Sequence, residues 1–311
     1  MSKPTIAFHG GPVGGMLLSV LERALPDFQI VEAGTPDAIA HAEILATLGD
    51  SREALSAALS ENIRWIHVIG AGVDAFPLDI LDDQIMTCSR GSSAPAIAEF
   101  ALAAMLAFEK QIPERWLDEP PEQWNLAQLG GLEGKSIGIL GLGAIGSAIA
   151  QRALAFDMNI HALRRSGSQP SLDGVSMAPD VESLLAVSDH VVIAAAATPA
   201  TYHLINDETL RSIKPGAHLV NVARGSLVDQ AALLRALDDG RIARASLDVC
   251  DPEPLPAGDP LYTHEKVRLT PHISWSSPTT MQRTIGMFLE NVERYRDGDE
   301  LIGVVDVAEG Y

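Results

Sequence analysis

Short apolar runs recur along the chain, and between them lie stretches whose apolar residues return every three or four positions. The runs read as buried strands and the stretches as amphipathic helices; their alternation predicts an α/β protein with parallel sheets. In the first hundred residues the pattern predicts strands over 6–9, 29–32, 44–47 and 65–69, with helices over 14–24 and 53–59. Ser92-Ser-Ala-Pro95 then opens a strongly apolar helix, Ala96 to Glu109, whose Ala and Leu content fits burial between domains or subunits. A polar, proline-rich stretch follows from Ile112 to Gly131, containing Trp116, Pro120, Pro121 and Trp124. It reads either as a docking arm or as a surface loop anchored by two indoles. A second α/β series has strands near 137–140, 159–163, 190–195, 217–222, 244–249 and 267–269. Ser277-Pro278 is an N-cap and first-turn pair for a helix reaching Tyr295 or Arg296, stopped by Gly298. Leu301 to Val307 is expected as a returning strand or an extended tail.

At 311 residues and 47% hydrophobic content the chain can fill two cores. The formal charge of -19 argues against a nucleic acid or an anionic membrane as partner, since each needs a basic face. It does not exclude a basic pocket inside an acidic surface. Cys88 and Cys250 form no disulfide framework and are expected as reduced thiols. The chain enters a strand at Thr5 without the apolar core of a signal peptide, and no apolar run approaches the roughly 18 residues of a span. The expectation is a soluble, cytoplasmic protein. No metal-ligand spacing and no nucleophile elbow stands out, so neither metal nor serine chemistry is expected.

Ser136 to Leu140 leads into Gly141-Leu-Gly143-Ala144-Ile145-Gly146 and a helix reaching about Phe156. A lone GxGxxG is weak, but here it sits between a strand and a helix, as pyrophosphate binding requires. Two glycines permit the turn and the approach of phosphates, the third lets helix pack on strand, and the helix N-terminus faces the anion. The plain alternative is a glycine-rich turn without a ligand. The next strand, Asn159 to Leu163, ends in Arg164-Arg165-Ser166, with no acid for a ribose 2′-hydroxyl. Two guanidiniums and a hydroxyl suit a 2′-phosphate, so NADP(H) is preferred and NAD(H) is possible. The competing reading is a solvated strand end.

Three later segments carry chemistry: Asn221-Val-Ala-Arg224-Gly225-Ser226, Asp248-Val-Cys-Asp-Pro-Glu253-Pro254 and Thr270-Pro-His272. Each follows an apolar strand, where α/β sheets deliver reactive groups. Arg224 can hold an anionic substrate, His272 can move a proton, and Glu253 can orient the ring and stabilise the imidazolium. Asp251 is a rival ring partner. His9, His67, His161, His190, His203 and His218 have no comparable context.

Together these residues resemble the D-isomer-specific 2-hydroxyacid dehydrogenase family. The resemblance extends to Thr198-Pro199, Leu204-Ile205-Asn206, Val220 to Asp229, Leu247-Asp248-Val249, Pro252 to Pro256 and Gly70-Ala71-Gly72-Val73-Asp74. Val304-Val-Asp306, the ending Gly310-Tyr311 and the two arginines are most similar to the glyoxylate/hydroxypyruvate reductase branch. The resemblance implies two Rossmann-like or flavodoxin-like domains with parallel sheets, the cofactor domain inserted into the substrate domain. It sets the substrate-binding domain at 1–97 and 275–311 and the cofactor domain at 98–274, with the substrate in the cleft. It makes Arg224, Glu253 and His272 catalytic. Gly141, Gly143, Ala144, Ile145, Gly146, Arg164, Arg165, Ser166, Thr198, Ala223 and Asp248 become cofactor residues, Asp248 toward the nicotinamide carboxamide. Ala71, Gly72, Val73, Arg224 and Trp275 become substrate residues, and no metal is implied. A homodimer using the region from Ala96 to Gly131 as its arm is the implied assembly.

The expected function is therefore NADPH-dependent reduction of small 2-oxo acids to D-2-hydroxy acids. Larger 2-oxo acids are a close variant, with Trp275, Trp65, Ile69 and Leu48 as candidate pocket residues. A dinucleotide-sensing, corepressor-like binding protein is the alternative from another class. Phosphoglycerate is a poorer expectation, with Arg224 the only obvious holder for a dianion. Formate is poorer too, because a carboxylate stands at Glu253.

Overall fold

The computed structural model of the chain describes residues 3–10, 14–33, 39–48, 52–165 and 172–311. It contains two compact units, one formed by 1–93 with 277–311 and the other by 94–276. The first holds β1 (Thr5–His9), α1 (Gly14–Ala24), β2 (Gln29–Glu32), β3 (Ala42–Thr47), α2 (Arg52–Ala58), β4 (Trp65–Val68) and β5 (Ile85–Cys88). The second holds α3 (Ala94–Lys110), β6 (Ser136–Leu140), α4 (Ala144–Leu154), β7 (Asn159–Leu163), β8 (Val175–Met177), α5 (Val181–Val187), β9 (His190–Ile193), β10 (Ala217–Asn221), α6 (Gln230–Asp238), β11 (Ile242–Leu247) and β12 (Val267–Leu269). The chain then returns to the first unit with α7 (Thr280–Asp297).

Both sheets are parallel. The first runs β2-β1-β3-β4-β5, the flavodoxin-like order, and its β4 is buried along its whole length. The second runs β12-β11-β10-β9-β6-β7-β8. Read from β8 it has the dinucleotide-fold order with β12 added at the edge, so its order reverses between β6 and β9. Strands β9 and β10 are wholly buried, which is why their apolar and polar residues do not alternate.

Several details differ from what the pattern or the resemblance sets. A domain boundary at 97/98 would cut α3, which begins at Ala94. Strands β5 and β8 have only four and three residues and carry no alternation long enough to mark them. Helix α7 starts at Thr280 rather than after Ser277; the Ser277 hydroxyl lies 2.8 Å from Thr280 Oγ1 within the preceding turn. Gly298 ends α7 in a left-handed conformation, as its position predicts. The stretch 301–307 forms no strand and touches the sheet through one bridge, Thr87 with Val304. Among the described residues no helix is long and apolar enough to cross a membrane.

Residues 112–131 have no regular structure, and Trp116 and Trp124 are 72% and 70% exposed. Such exposure removes the anchoring role within this chain. The root of the stretch is nonetheless fixed. Arg244 and Arg268 both reach Glu114, and the Gly130 N–H donates to Glu109 O at 3.0 Å.

Candidate active site

Residues 141–146 are built as phosphate binding demands. Gly141 has φ +101°, and a Cβ there would lie 2.5 Å from Ala195 N and 2.6 Å from Ala195 Cα, so the chain from β6 grazes the exit of β9. A Cβ on Gly146 would lie 2.0 Å from Gly141 O, which is why the helix can start so close to the strand. A Cβ on Gly143 would meet nothing within 4 Å, and this residue is the N-cap of α4 without a side-chain cap. The first N–H groups of α4, including those of Ala144 and Ile145, thus open at an uncrowded helix end where anions are favoured.

Arg164 leaves the end of β7, and its Nε is buried without a hydrogen-bond partner among the described residues. A buried, unpartnered guanidinium nitrogen is costly unless a ligand meets it. Arg165 is exposed, and Ser166 lies outside the described residues. Thr198 caps the turn Pro199–Thr201, with its N–H donating to Thr201 Oγ1 at 2.8 Å. Ala223 is buried; its N–H donates to Asn221 Oδ1 at 3.1 Å and its carbonyl accepts from Arg224 Nη1 at 2.7 Å. These residues fit a dinucleotide.

Strands β10, β11 and β12 are neighbours in the sheet and parallel. The segments bearing Arg224, Glu253 and His272 therefore leave the same edge. Asn221 ties the first turn, its Nδ2 donating to Arg224 O at 2.8 Å. Gly225 then presses against the next loop: a Cβ on it would lie 2.0 Å from the Cys250 carbonyl carbon and 2.5 Å from Asp251 N. Backbone contact at this distance sets the Arg224 turn against the segment that carries Glu253.

Glu253 Oε2 lies 2.8 Å from His272 Nδ1, and Glu253 Oε1 accepts the Cys250 N–H at 3.1 Å. A carboxylate facing Nδ1 puts the proton on that nitrogen and leaves Nε2 for chemistry. Asp251, the rival, is instead held through its backbone by the Gln230 side chain. The pair is half-exposed, with the imidazole at 40% and the carboxylate at 36%, so a substrate can reach it. His272 itself has φ +54°, a strained conformation for a residue with a Cβ. Trp275 Nε1 donates to His272 O at 2.9 Å.

Asp248, expected to face a carboxamide, follows directly on β11. It is buried, and its carboxylate is engaged by the loop 270–274 through Thr270 Oγ1 and the N–H groups of Ile273 and Ser274. In the first unit, Ala71, Gly72 and Val73 follow the end of β4; Gly72 is exposed, Val73 is buried, and Ala71 O accepts from Cys88 Sγ at 3.5 Å. His67, His190 and His218 are core residues. Among the described residues no cluster could hold a metal ion.

The chain is similar to known proteins along most of its length. Residues 102–274 match the D-isomer specific 2-hydroxyacid dehydrogenase, NAD binding domain. A glyoxylate reductase of Korarchaeum cryptofilum is 38% identical over 69% of this chain and 67% of its own length. A glyoxylate/hydroxypyruvate reductase A of Serratia proteamaculans is 32% identical over 80% of this chain and 82% of its own. The crystal structure of a D-isomer specific 2-hydroxyacid dehydrogenase from Xanthobacter autotrophicus Py2, in complex with NADPH and MES, superposes with a TM-score of 0.87. It is 29% identical and covers all of both chains.

Proposed function

The chain belongs to the D-isomer specific 2-hydroxyacid dehydrogenase family, an oxidoreductase family using nicotinamide dinucleotides, and within it we propose an NADPH-dependent reductase of small 2-oxo acids of the glyoxylate and hydroxypyruvate type. The observation that carries the reading is the His272–Glu253 pair at 2.8 Å, beside a strand end that bears Arg224. The names of the relatives above support the substrate class. Arg164, whose buried Nε has no partner among the described residues, Arg165 and the lack of an acid at the end of β7 support the 2′-phosphate.

A nicotinamide dinucleotide, when bound, supplies hydride to the carbonyl carbon. The protein's part is proton transfer and charge. His272 as imidazolium donates from Nε2 to the carbonyl oxygen, and as imidazole accepts that proton from the alcohol in reverse. Glu253 holds Nδ1–H and stabilises the cationic ring through a charge-assisted hydrogen bond. Arg224 is assigned to the substrate carboxylate and to the negative charge developing on oxygen. Ala71 and the N–H groups of Gly72 and Val73 are assigned to the carboxylate, and Trp275 to the substrate side chain. We assign the arm at 112–131 to a second copy of this chain, because two exposed indoles there find no partner surface in their own stretch.

The test is a panel of glyoxylate, hydroxypyruvate, pyruvate, phenylpyruvate and branched 2-oxo acids, each with NADPH and NADH, on the wild type and His272→Ala. The expected result is preference for glyoxylate and hydroxypyruvate with NADPH, and loss of most of kcat in the variant with NADPH still bound. NADPH binding without turnover of any acid would replace this reading by a dinucleotide-sensing one. A tenfold preference for NADH, about 1.4 kcal/mol, would remove the 2′-phosphate assignment.

A further inference from the structure

The left-handed backbone of His272 needs something to hold it, and the structure shows bonds on both sides of the residue. Asp248 follows directly on β11 and is 1% exposed. Its Oδ1 accepts from Thr270 Oγ1 at 2.6 Å and from the Ile273 N–H at 2.9 Å, and its Oδ2 accepts the Ser274 N–H at 2.8 Å. Its backbone carbonyl accepts the His272 N–H at 2.9 Å. One residue thus binds the loop before, at and after the imidazole. From the other side Trp275 Nε1–H donates to His272 O at 2.9 Å. Both peptide groups flanking the His272 Cα are therefore tied. With φ fixed, the Cβ direction is fixed, and Nδ1 arrives at Glu253 Oε2.

We propose that Asp248 and Trp275 are positioning residues that lock the left-handed backbone of His272 and so aim its imidazole at Glu253 and at the reacting oxygen. The role rests on the proposed acid–base function of His272. It is a role beyond the cofactor contact expected of Asp248 and the substrate contact assigned to Trp275. A carboxylate has about four acceptor positions, and three of those on Asp248 are filled by the loop. A buried charge satisfied by three local donors, two of them backbone N–H groups, is built to anchor that segment. Trp275 adds a neutral donor that leaves its indole face available to a substrate.

Asp248→Asn and Trp275→Phe in the full chain test this. Asparagine keeps the shape but exchanges one acceptor oxygen for a donor, and phenylalanine keeps an aromatic ring but removes the N–H. Three quantities are read: kcat for reduction, the dinucleotide Kd by fluorescence, and the ¹⁵N and ¹H signals of the His272 ring without substrate. For Asp248→Asn, kcat should fall by about 10²-fold, the loss expected when a catalytic group is misplaced by about 1 Å. For Trp275→Phe the fall should be about fivefold, the value of one neutral hydrogen bond. In both, the Kd should hold while the Nδ1–H signal shifts away from its wild-type position. A raised Kd in Asp248→Asn, with Trp275→Phe silent in kcat and in the ring signal, overturns the proposal and returns Asp248 to the cofactor. If Asp248→Asn does not fold, Trp275→Phe decides by the same two readouts. If the wild type reduces no 2-oxo acid, the ring signals still decide the lock, while the proposed activity falls separately.

Discussion

Replacing Gly225 with alanine should cripple catalysis although Gly225 faces neither substrate nor proton. Its φ is not in the left-handed region, so alanine can adopt the backbone and the effect is steric. The added Cβ would lie 2.0 Å from the Cys250 carbonyl carbon, 2.1 Å from its oxygen and 2.5 Å from Asp251 N. Ordinary contact begins at 3.4 Å, so the two backbones must separate by 1.4 Å (3.4 minus 2.0) at the tightest point. Side-chain rotation does not relieve this, because the three nearest atoms are all main chain. The turn bearing Arg224 and the segment bearing Glu253 are then pushed apart. Overpacking of this kind costs about 1–3 kcal/mol of stability, and a displacement near 1 Å costs about 10²-fold in rate. Steady-state reduction of glyoxylate with NADPH should show kcat/KM down by about that factor, with a lowered thermal midpoint. Wild-type kcat/KM and midpoint in Gly225→Ala would refute the claim that this backbone contact sets the spacing of the two groups.

Two other outcomes are expected. Burial lowers the pKa of His67 from 6.5 to about 4; its ring lies between Thr87 Oγ1 at 2.7 Å and Ser89 Oγ at 3.1 Å. Its neutral form stabilises the fold fully above pH 6.5, and that contribution, about 3 kcal/mol, is lost as pH falls from 6.5 towards 4, because the unfolded chain takes the proton first. Following the His67 ring by NMR should give a midpoint near 4, and one near 6.5 would contradict the burial argument. Substituting Trp116 and Trp124 together by alanine should convert a species of twice the chain mass into monomer by light scattering, with the fold retained by circular dichroism. A wild-type monomer, or a dimer unaffected by the change, removes the arm assignment.

The apolar periodicity of this chain determined the succession of strands and helices, because a buried parallel strand and an amphipathic helix each impose a spacing on their own residues. Gly141 to Gly146 was legible for the same reason: the demands on each glycine come from neighbours within a few residues. Arg224, Glu253 and His272 could be singled out because each follows an apolar strand within a distinctive local motif. Short elements such as β5 and β8 escaped, since four or three residues carry too little pattern. What tertiary structure alone decided is how distant segments share groups. Glu253 rather than Asp251 faces His272 because the loop geometry after β11 turns one carboxylate toward the ring and leaves the other segment to Gln230. The carboxylate of Asp248 holds residues 22 to 26 positions further on, an arrangement set by β11 and β12 lying side by side. The left-handed φ of His272 left no mark in the sequence, since nothing about a histidine calls for it; it exists because hydrogen bonds from both sides outweigh its strain.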